Sequence, residues 1–324
     1  MNQKKYCESI DQLRISEDFN MKTAKLMKET QNNTKGNKFP LRKLVFTCAG
    51  AALLVFGGVF AFHYNNFLPV KQSAGVNDSN AYTVDEIKLP GASSTPVNAD
   101  MLPLFVYQGR IYIHYNTSFE TGDGDTVSEE DMTNLRGDYL GKTIGGINEW
   151  SKQEEYQQEL VSNIGEGDVY TVKGYDSKYR LMVYTRYEDG FGCEIYDSFG
   201  GLQIKEGEDF FGIIKLKENA ASYQWESFDS WNNGKSERND ATVDTLFQDF
   251  MKKLYEAAPL EGSTDMLIEN ISSDSQKFVY VKTKDHLITT LRLLKDGYVY
   301  MHGVGFFQVE KDAFDAFYNA MPVM

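Results

Sequence analysis

The stretch FVYVKTKDHLITTLRLLKDGYVYMH, residues 278–302, decides the fold class of this 324-residue chain. Three segments within it, 278–283, 287–294 and 298–302, are rich in β-branched and aromatic residues, and apolar positions alternate along them. This composition and a two-residue period are typical of strands in an antiparallel sheet. The pair Asp296-Gly297 separates the last two segments and favours a tight hairpin turn. The stretch therefore predicts an antiparallel meander of three strands.

The same strand signals recur nearer the N-terminus. Residues 105–115, FVYQGRIYIHY, alternate apolar and polar positions on both sides of Gln108-Gly109 and predict a hairpin that turns there. A second Asp-Gly pair, Asp189-Gly190, predicts another turn. Further strands are predicted at 169–175, 180–187 and 193–199.

Helical patterns are fewer. Three segments have apolar residues at helical spacing, namely 147–162, 244–257 and 309–321. The clearest is the second, whose predicted buried face is Leu246, Phe247, Phe250, Met251 and Leu254. The third presents Phe314, Phe317 and Tyr318. The predicted fold class is therefore α+β, mainly antiparallel β with a few helices.

The order helix, strand, strand, strand occurs twice along the chain, starting near residue 147 and near residue 241. Residues 101–324 are therefore predicted to be an exported α+β region. The repeated order suggests that this region consists of two similar units, about 101–205 and 206–324. The preceding residues 63–100 are polar and rich in Pro, Ser, Asn and Gly, and they predict a linker.

A block without any charge, LVFTCAGAALLVFGGVFAF, occupies residues 44–62. As a helix its 19 residues would extend roughly 28 Å, close to the hydrocarbon thickness of a bilayer. Basic residues flank its N-terminal side at Lys35, Lys38, Arg42 and Lys43, whereas only Lys71 is near on the other side. Since Lys and Arg mark the cytoplasmic side, the block predicts one transmembrane helix in the cell membrane, with the N-terminus inside and residues 63–324 outside.

The charges divide at the same place. Residues 1–43 carry ten basic and five acidic residues, a net charge of +5, and the residues after the block carry a net charge of −19. Nucleic-acid binding needs concentrated Lys and Arg, so the acidic part argues against a nucleic-acid partner.

The predicted cytoplasmic tail, residues 1–43, is too short for a core of its own but carries two short amphipathic patterns. Amphipathic helices without a core bind in a partner's groove through such anchors. The candidate partner-binding residues are Tyr6, Ile10, Leu13, Phe19, Leu26 and Met27. The alternative is a tail whose Lys residues fix topology and contact anionic lipid.

The tail YCESIDQLRISEDFNMKTAKLMKE, the basic linker after it, the single span and the large exported region resemble short-tailed, zinc-free membrane-anchored anti-sigma factors of Gram-positive bacteria. The resemblance covers the first 62 residues and implies that the tail binds an extracytoplasmic-function sigma factor. The zinc pattern His-x-x-x-Cys-x-x-Cys of the better-known branch is missing, since Cys7 is the only candidate ligand in the tail. The segment from Leu140 to Tyr184 also resembles exported modules of unknown function in Firmicutes.

Residues able to do chemistry are sparse. The three cysteines, Cys7, Cys48 and Cys193, fall in three predicted compartments, so no disulfide framework is expected. The four histidines, His63, His114, His286 and His302, lack the spacing of metal ligands. Asp123 and Asp125 begin an EF-hand-like stretch whose required Glu is Asn134 instead. Trp150, Trp225 and Trp231 are expected in the core or at its rim rather than in a ligand groove. We therefore predict no cofactor, no metal site and no enzymatic activity.

Two classes of function remain. The first is a single-pass membrane regulatory protein, anti-sigma factor-like, whose tail binds a sigma factor and whose exported domain senses a signal. The second is a membrane-tethered surface module that binds a cell-wall or small-molecule ligand and has no sigma-factor partner. Neither prediction identifies the extracytoplasmic ligand.

Overall fold

The structure is a computed structural model that describes residues 81–86, 102–119, 128–148, 151, 154–187, 190–260 and 274–322. All of these residues belong to one compact unit of the chain. The predicted tail, the predicted span and most of the predicted linker lie outside the described residues. Within the described part of the chain, no helix is long and apolar enough to cross a membrane.

The described residues form a mixed α+β structure in which strands predominate, as the sequence predicted. The first strands are β1 (Tyr82–Thr83), β2 (Leu104–Tyr107), β3 (Arg110–Ile113), β4 (Thr117–Phe119), β5 (Arg136–Lys142), β6 (Ile144–Gly145), β7 (Val161–Ser162), β8 (Asp168–Val172), β9 (Arg180–Tyr187), β10 (Gly190–Asp197) and β11 (Gln203–Ile204). They are followed by β12 (Ala220–Ser227), β13 (Asn239–Thr242), β14 (Ala258–Leu260), β15 (Lys277–Thr283), β16 (Leu287–Leu294), β17 (Tyr298–Met301) and β18 (Gly305–Gln308). The helices are α1 (Glu129–Leu135), α2 (Glu208–Phe211), α3 (Leu216–Asn219), α4 (Phe228–Asn232), α5 (Thr245–Tyr255) and α6 (Lys311–Asn319), with 3-10 turns at Glu155–Gln157 and Lys295–Gly297.

The first sheet has eight strands in the order β5-β8-β9-β10-β3-β2-β7-β6. The predicted hairpin of residues 105–115 is confirmed as β2 and β3, which pair antiparallel. Its turn residues, Gln108 and Gly109, have φ angles of 50° and 69°. Such left-handed backbone at both turn positions matches the right-handed twist of the two strands, and glycine adopts it without a steric cost.

The second sheet is built around the meander that the sequence predicted. Strands β15, β16 and β17 pair antiparallel in succession, and the sheet order is β13-β12-β15-β16-β17-β18-β14. Strand β4 also pairs with β16. The chain therefore passes from the first sheet, at β2 and β3, into the second sheet at β4 before it returns to the first at β5. Strand β1 pairs with β11, and Val84 just after β1 is buried in the main core. Residues 81–86 of the predicted linker are therefore part of the folded domain.

The main core lies between the second sheet and the helices α5 and α6. Helix α5 begins after Asp244, whose side chain accepts a hydrogen bond from the Phe247 N–H and so caps the helix. Four of the five predicted apolar residues of this helix are buried, namely Phe247, Phe250, Met251 and Leu254. Leu246 is 41% exposed, so its assignment to the buried face was wrong. The four buried residues already fill the i, i+3, i+4, i+7 stripe, and Leu246 lies beside it.

The described residues of the segment 147–162, which are 147–148, 151 and 154–162, do not form the predicted helix. The segment contains a turn in which the Asn148 N–H donates to Ser151 Oγ, a single 3-10 turn at Glu155–Gln157, and the short strand β7. Leu160 has a φ of 59°, which a right-handed helix excludes, and its N–H donates to the Val106 carbonyl. Hydrogen bonds to β2 therefore replace the predicted helical ladder, because they satisfy the backbone while the segment's apolar residues pack against that strand.

Candidate ligand-binding surface

One face of the first sheet carries a row of tyrosine and arginine side chains. We call Arg136, Tyr139, Tyr170, Tyr184 and Arg186 the Arg–Tyr face. Tyr139 on β5 lies opposite Tyr170 on β8, which in turn lies opposite Met182 on β9. Because side chains two residues apart share a face of a strand, Tyr184 and Arg186 follow Met182 on this same side. The register therefore brings together residues that are up to 50 positions apart in the sequence.

Helix α1 holds the first arginine of the face in place. Ser128 and Asp131 form a reciprocal capping box at its N-terminus, and Met132 and Leu135 are buried against the sheet. Arg136 follows directly, and its backbone N–H donates to the Met132 carbonyl. The side chain of Arg136 therefore projects from a fixed point at the junction of α1 and β5.

The Arg136 guanidinium lies between two tyrosine rings. Its Cζ is 5.2 Å from the centre of the Tyr170 ring and 4.6 Å from the centre of the Tyr184 ring. Nη2 donates a hydrogen bond of 2.7 Å to Thr133 Oγ1. Stacking on aromatic faces orients a guanidinium while leaving the N–H groups at its edge able to bind a planar anion.

The two neighbouring cations already face carboxylates. Arg186 Nη2 pairs with Glu129 Oε1, which also accepts a hydrogen bond of 2.7 Å from the Tyr184 hydroxyl. That hydroxyl, the Arg186 guanidinium and, as a smaller cause, the charge of Arg136 hold the pKa of Glu129 below its usual range. Lys142 Nζ lies 3.9 Å from Asp168 Oδ1. Among the described residues, by contrast, no carboxylate lies within ion-pair distance of Arg136.

Much of the Arg–Tyr face is open to solvent. Tyr139 is 57% exposed, and its ring centre is 5.3 Å from that of the partly buried Tyr170. The Arg186 side chain is 66% exposed. The exposed Tyr139 ring beside an oriented guanidinium offers a ligand both stacking surface and hydrogen-bond donors.

A second polar cluster lies in the interior, where β9 and β10 meet β4. Arg180 Nε and Nη2 donate to the two Asp197 carboxylate oxygens at 2.7 Å and 2.9 Å, and Nη2 also donates to Thr117 Oγ1 at 2.8 Å. Burial alone would lower the pKa of Arg180, but the Asp197 carboxylate raises it above its usual value. Both side chains are 3% exposed. The cluster fastens β4 to the first sheet, and we assign it a structural role.

The six candidate partner-binding residues of the tail lie outside the described residues, as do His63, Asp123, Asp125 and Trp150. No group of three or more His, Cys, Asp or Glu in the described residues has the arrangement of a metal site. Burial lowers the pKa of His302 to about 4. Trp225 is buried in the main core, and the partly buried Trp231 stacks on Phe278 at the rim of a separate, smaller core cluster. The predicted placement of these two tryptophans is confirmed.

Cys193 lies on β10 opposite Tyr184, in the strand that the sequence predicted. Its thiol is largely enclosed by the α1 side of the sheet, and burial raises its pKa to about 12. A thiol with so high a pKa holds almost no thiolate at neutral pH and is a poor nucleophile.

The residues of the Arg–Tyr face were not predicted as a site from the sequence. Strand β5, which contributes Arg136 and Tyr139, was not predicted either. The only available signal was the occurrence of tyrosine and arginine at alternate positions in RLMVYTRY, residues 180–187. That alternation does not reveal how β5, β8 and β9 pair, and it is this pairing that brings the residues of the face together.

Comparison with known proteins identified no related protein. No protein-family model matches the chain, and neither a curated protein nor a solved structure matches it significantly.

Proposed function

We propose that this protein is a single-pass membrane regulatory protein, anti-sigma factor-like, that binds a signal outside the membrane. In this proposal residues 44–62 cross the membrane, the tail of residues 1–43 binds a sigma factor inside, and the described domain binds its ligand at the Arg–Tyr face. The activity is binding and regulation, without a catalysed reaction or a cofactor.

The observation that carries the proposal is the division of the chain around its uncharged block. A net charge of +5 precedes residues 44–62 and a net charge of −19 follows them. The orientation follows from the basic residues near the block. Lys35, Lys38, Arg42 and Lys43 flank its N-terminal side and only Lys71 is near on the other, which is the sequence signature of a span with its N-terminus inside. The Arg–Tyr face supports the outer half of the proposal, because it provides one exposed ring, that of Tyr139, and an oriented guanidinium on a sheet.

A second function is favoured by the Arg–Tyr face considered by itself. The protein would then be a membrane-tethered module that holds an extracytoplasmic ligand, and its tail would only fix topology. Both functions require the same span and the same outer surface. They differ in whether the tail has a cytoplasmic protein partner.

We expect protease added to intact protoplasts to remove residues after about position 63 and to leave a protected fragment. The fragment should contain the tail and the span, because only these are shielded in the proposed topology. Immunoblotting with an N-terminal epitope tag measures its size. Protection of a C-terminal tag in unlysed protoplasts would contradict the proposed orientation.

We expect the double substitution Phe19→Asp and Leu26→Asp to abolish sigma-factor binding by the tail. The two side chains lie on one face of the predicted helix, and a charge placed there would face an apolar groove without a partner. The measurement is capture of the full-length protein from membranes, followed by identification of co-purifying proteins by mass spectrometry.

The matched control for this experiment is Met21→Asp with Ala24→Asp. It adds the same two charges on the opposite side of the predicted helix and should retain the partner. Capture of a sigma factor by the native tail and the control, but not by the Phe19/Leu26 variant, supports the regulatory function. If no preparation captures a sigma factor, the tethered binding module becomes the better account.

A further inference from the structure

We propose that the Arg–Tyr face binds a glycan chain that carries isolated carboxylate groups. Sugar rings would stack on Tyr139 and Tyr170, and a carboxylate would bind the edge of the Arg136 guanidinium. The inference rests on the proposed function, since it names the class of ligand that the outer domain recognises.

The case for a carboxylate begins with the charges of the face. Arg186 and Lys142 face Glu129 and Asp168, whereas Arg136 donates to a hydroxyl, Thr133 Oγ1, and has no carboxylate within ion-pair distance among the described residues. A planar guanidinium held between two rings presents paired N–H donors that match the geometry of a carboxylate. The nearest described carboxylate, Glu129, is already engaged by Arg186 and the Tyr184 hydroxyl, so in a protein with a net charge of −14 the Arg136 guanidinium is a specific place for an anion.

The case for a sugar rests on the two outermost rings. Tyr139 and Tyr170 are adjacent, with ring centres 5.3 Å apart, and Tyr139 is more than half exposed. The faces of a sugar ring present C–H groups that pack on an aromatic ring, while the hydroxyls at its rim stay in water. Lys142 on β5 lies opposite Asp168, which is two residues from Tyr170 and therefore on the same face, so this pair can donate to and accept from such hydroxyls.

The same surroundings argue against other ligands. A densely charged polyanion would meet the carboxylates of Glu129 and Asp168, so the face suits a chain with sparse negative charge. A peptide strand would need a regular sheet edge, but β5 departs twice from regular register with β8. Bulges of this kind prevent an edge strand from pairing with another chain.

The test measures binding of three soluble oligosaccharides to the full-length protein in detergent micelles by isothermal titration calorimetry. Hyaluronan hexasaccharide carries one carboxylate on every second sugar, chitohexaose is neutral and of equal length, and a heparin hexasaccharide is densely anionic. We expect the hyaluronan oligosaccharide to bind at least tenfold more tightly than either of the others.

Substitutions then assign the binding to individual side chains. Arg136→Gln should remove the tenfold preference for hyaluronan over chitohexaose, and Arg136→Lys should restore part of it. Tyr139→Ala should weaken binding of both by about tenfold. Tyr187→Ala is the matched control, because Tyr187 is 55% exposed on the same sheet but alternates with Arg186 and so lies on its opposite face. Its affinities should equal those of the native protein.

Thermal unfolding of each variant separates loss of a contact from loss of the fold. The inference is overturned if the native protein binds none of the three, if chitohexaose or heparin binds as tightly as hyaluronan, or if Tyr187→Ala weakens binding as much as Tyr139→Ala. None of these results bears on the tail, whose sigma-factor capture is measured without any oligosaccharide. Failure of the ligand class and failure of the regulatory function are therefore distinguishable.

Discussion

Replacing Asp197 with alanine is expected to destabilise the domain by about 3–5 kcal/mol, because it leaves the buried Arg180 guanidinium without its counter-ion. Both carboxylate oxygens of Asp197 accept hydrogen bonds from Arg180, and both side chains are 3% exposed. Water cannot replace the lost carboxylate without opening the contact between β4 and the first sheet. The measurement is the free energy of unfolding in urea of a fragment comprising residues 80–324.

The matched control is Arg186→Ala on the same strand. Its partner is also a carboxylate, Glu129, but the Arg186 side chain is 66% exposed, and exposed pairs contribute about 0–1 kcal/mol. The two substitutions therefore compare a buried and an exposed ion pair in one strand. Equal losses of stability would contradict the structural role of the Arg180–Asp197 pair.

A further variant distinguishes the stability lost with the ion pair itself from the cost of leaving the Arg180 charge buried without a counter-ion. Substituting Asp197→Leu together with Arg180→Met removes both charges and refills the space with apolar atoms. Its stability should exceed that of Asp197→Ala, since an apolar replacement of a buried pair is frequently neutral while a half-removed pair is not. A double variant less stable than Asp197→Ala would mean that the pair's geometry, rather than charge compensation, holds β4 in place.

The sequence predicted the strands best where alternation was uninterrupted. Strands β9 and β16 begin and end at the predicted residues, 180–187 and 287–294. Their apolar side chains pack on both faces of a sheet, so a one-residue shift would exchange the two faces and be costly. Local pattern and tertiary structure agree in these segments, and the pattern is therefore sufficient.

Strand β5 was not predicted because its sequence, RGDYLGK, is broken by two glycines. The structure shows why glycine is required at one of them. A Cβ at Gly137 would lie 2.2 Å from Thr171 Oγ1, the same hydroxyl that accepts a hydrogen bond from the Asp138 N–H. The two strands approach so closely at this bulge that glycine is needed there, and the glycines make the sequence of β5 look like that of a loop.

Neither the Arg–Tyr face nor the Arg180–Asp197 pair could be predicted from the sequence, because both depend on which strands pair with one another. Charged residues within strands are ordinarily exposed, so Arg180 and Asp197 gave no sign of burial. Their burial depends on β4, which is separated from β9 by more than 60 residues. Both clusters are products of strand register, and register is set by the whole sheet.

Phe250→Ala is expected to destabilise the same fragment by about 3–5 kcal/mol, through lost burial and the cavity left behind. Phe250 is fully buried at the middle of α5, and its ring stacks on Phe317 of α6 with the ring centres 4.4 Å apart. The cavity would open between α5, α6 and the second sheet, where the main core is most densely aromatic. Urea unfolding of the variant measures the loss.

The control is Leu246→Ala on the same helix, one of the residues that the helical pattern placed on the buried face. Leu246 is 41% exposed, so truncation should change the free energy of unfolding by no more than about 0.5 kcal/mol. Both substitutions introduce alanine into one helix, where it is the most favourable residue, so helix propensity cannot produce the difference. If the two variants lose equal stability, α5 packs with Leu246 toward the sheet, and the buried stripe of Phe247, Phe250, Met251 and Leu254 is assigned incorrectly. A large loss for Phe250→Ala alone would show that tertiary packing distinguishes Phe250 from Leu246, which the sequence pattern treats as equivalent.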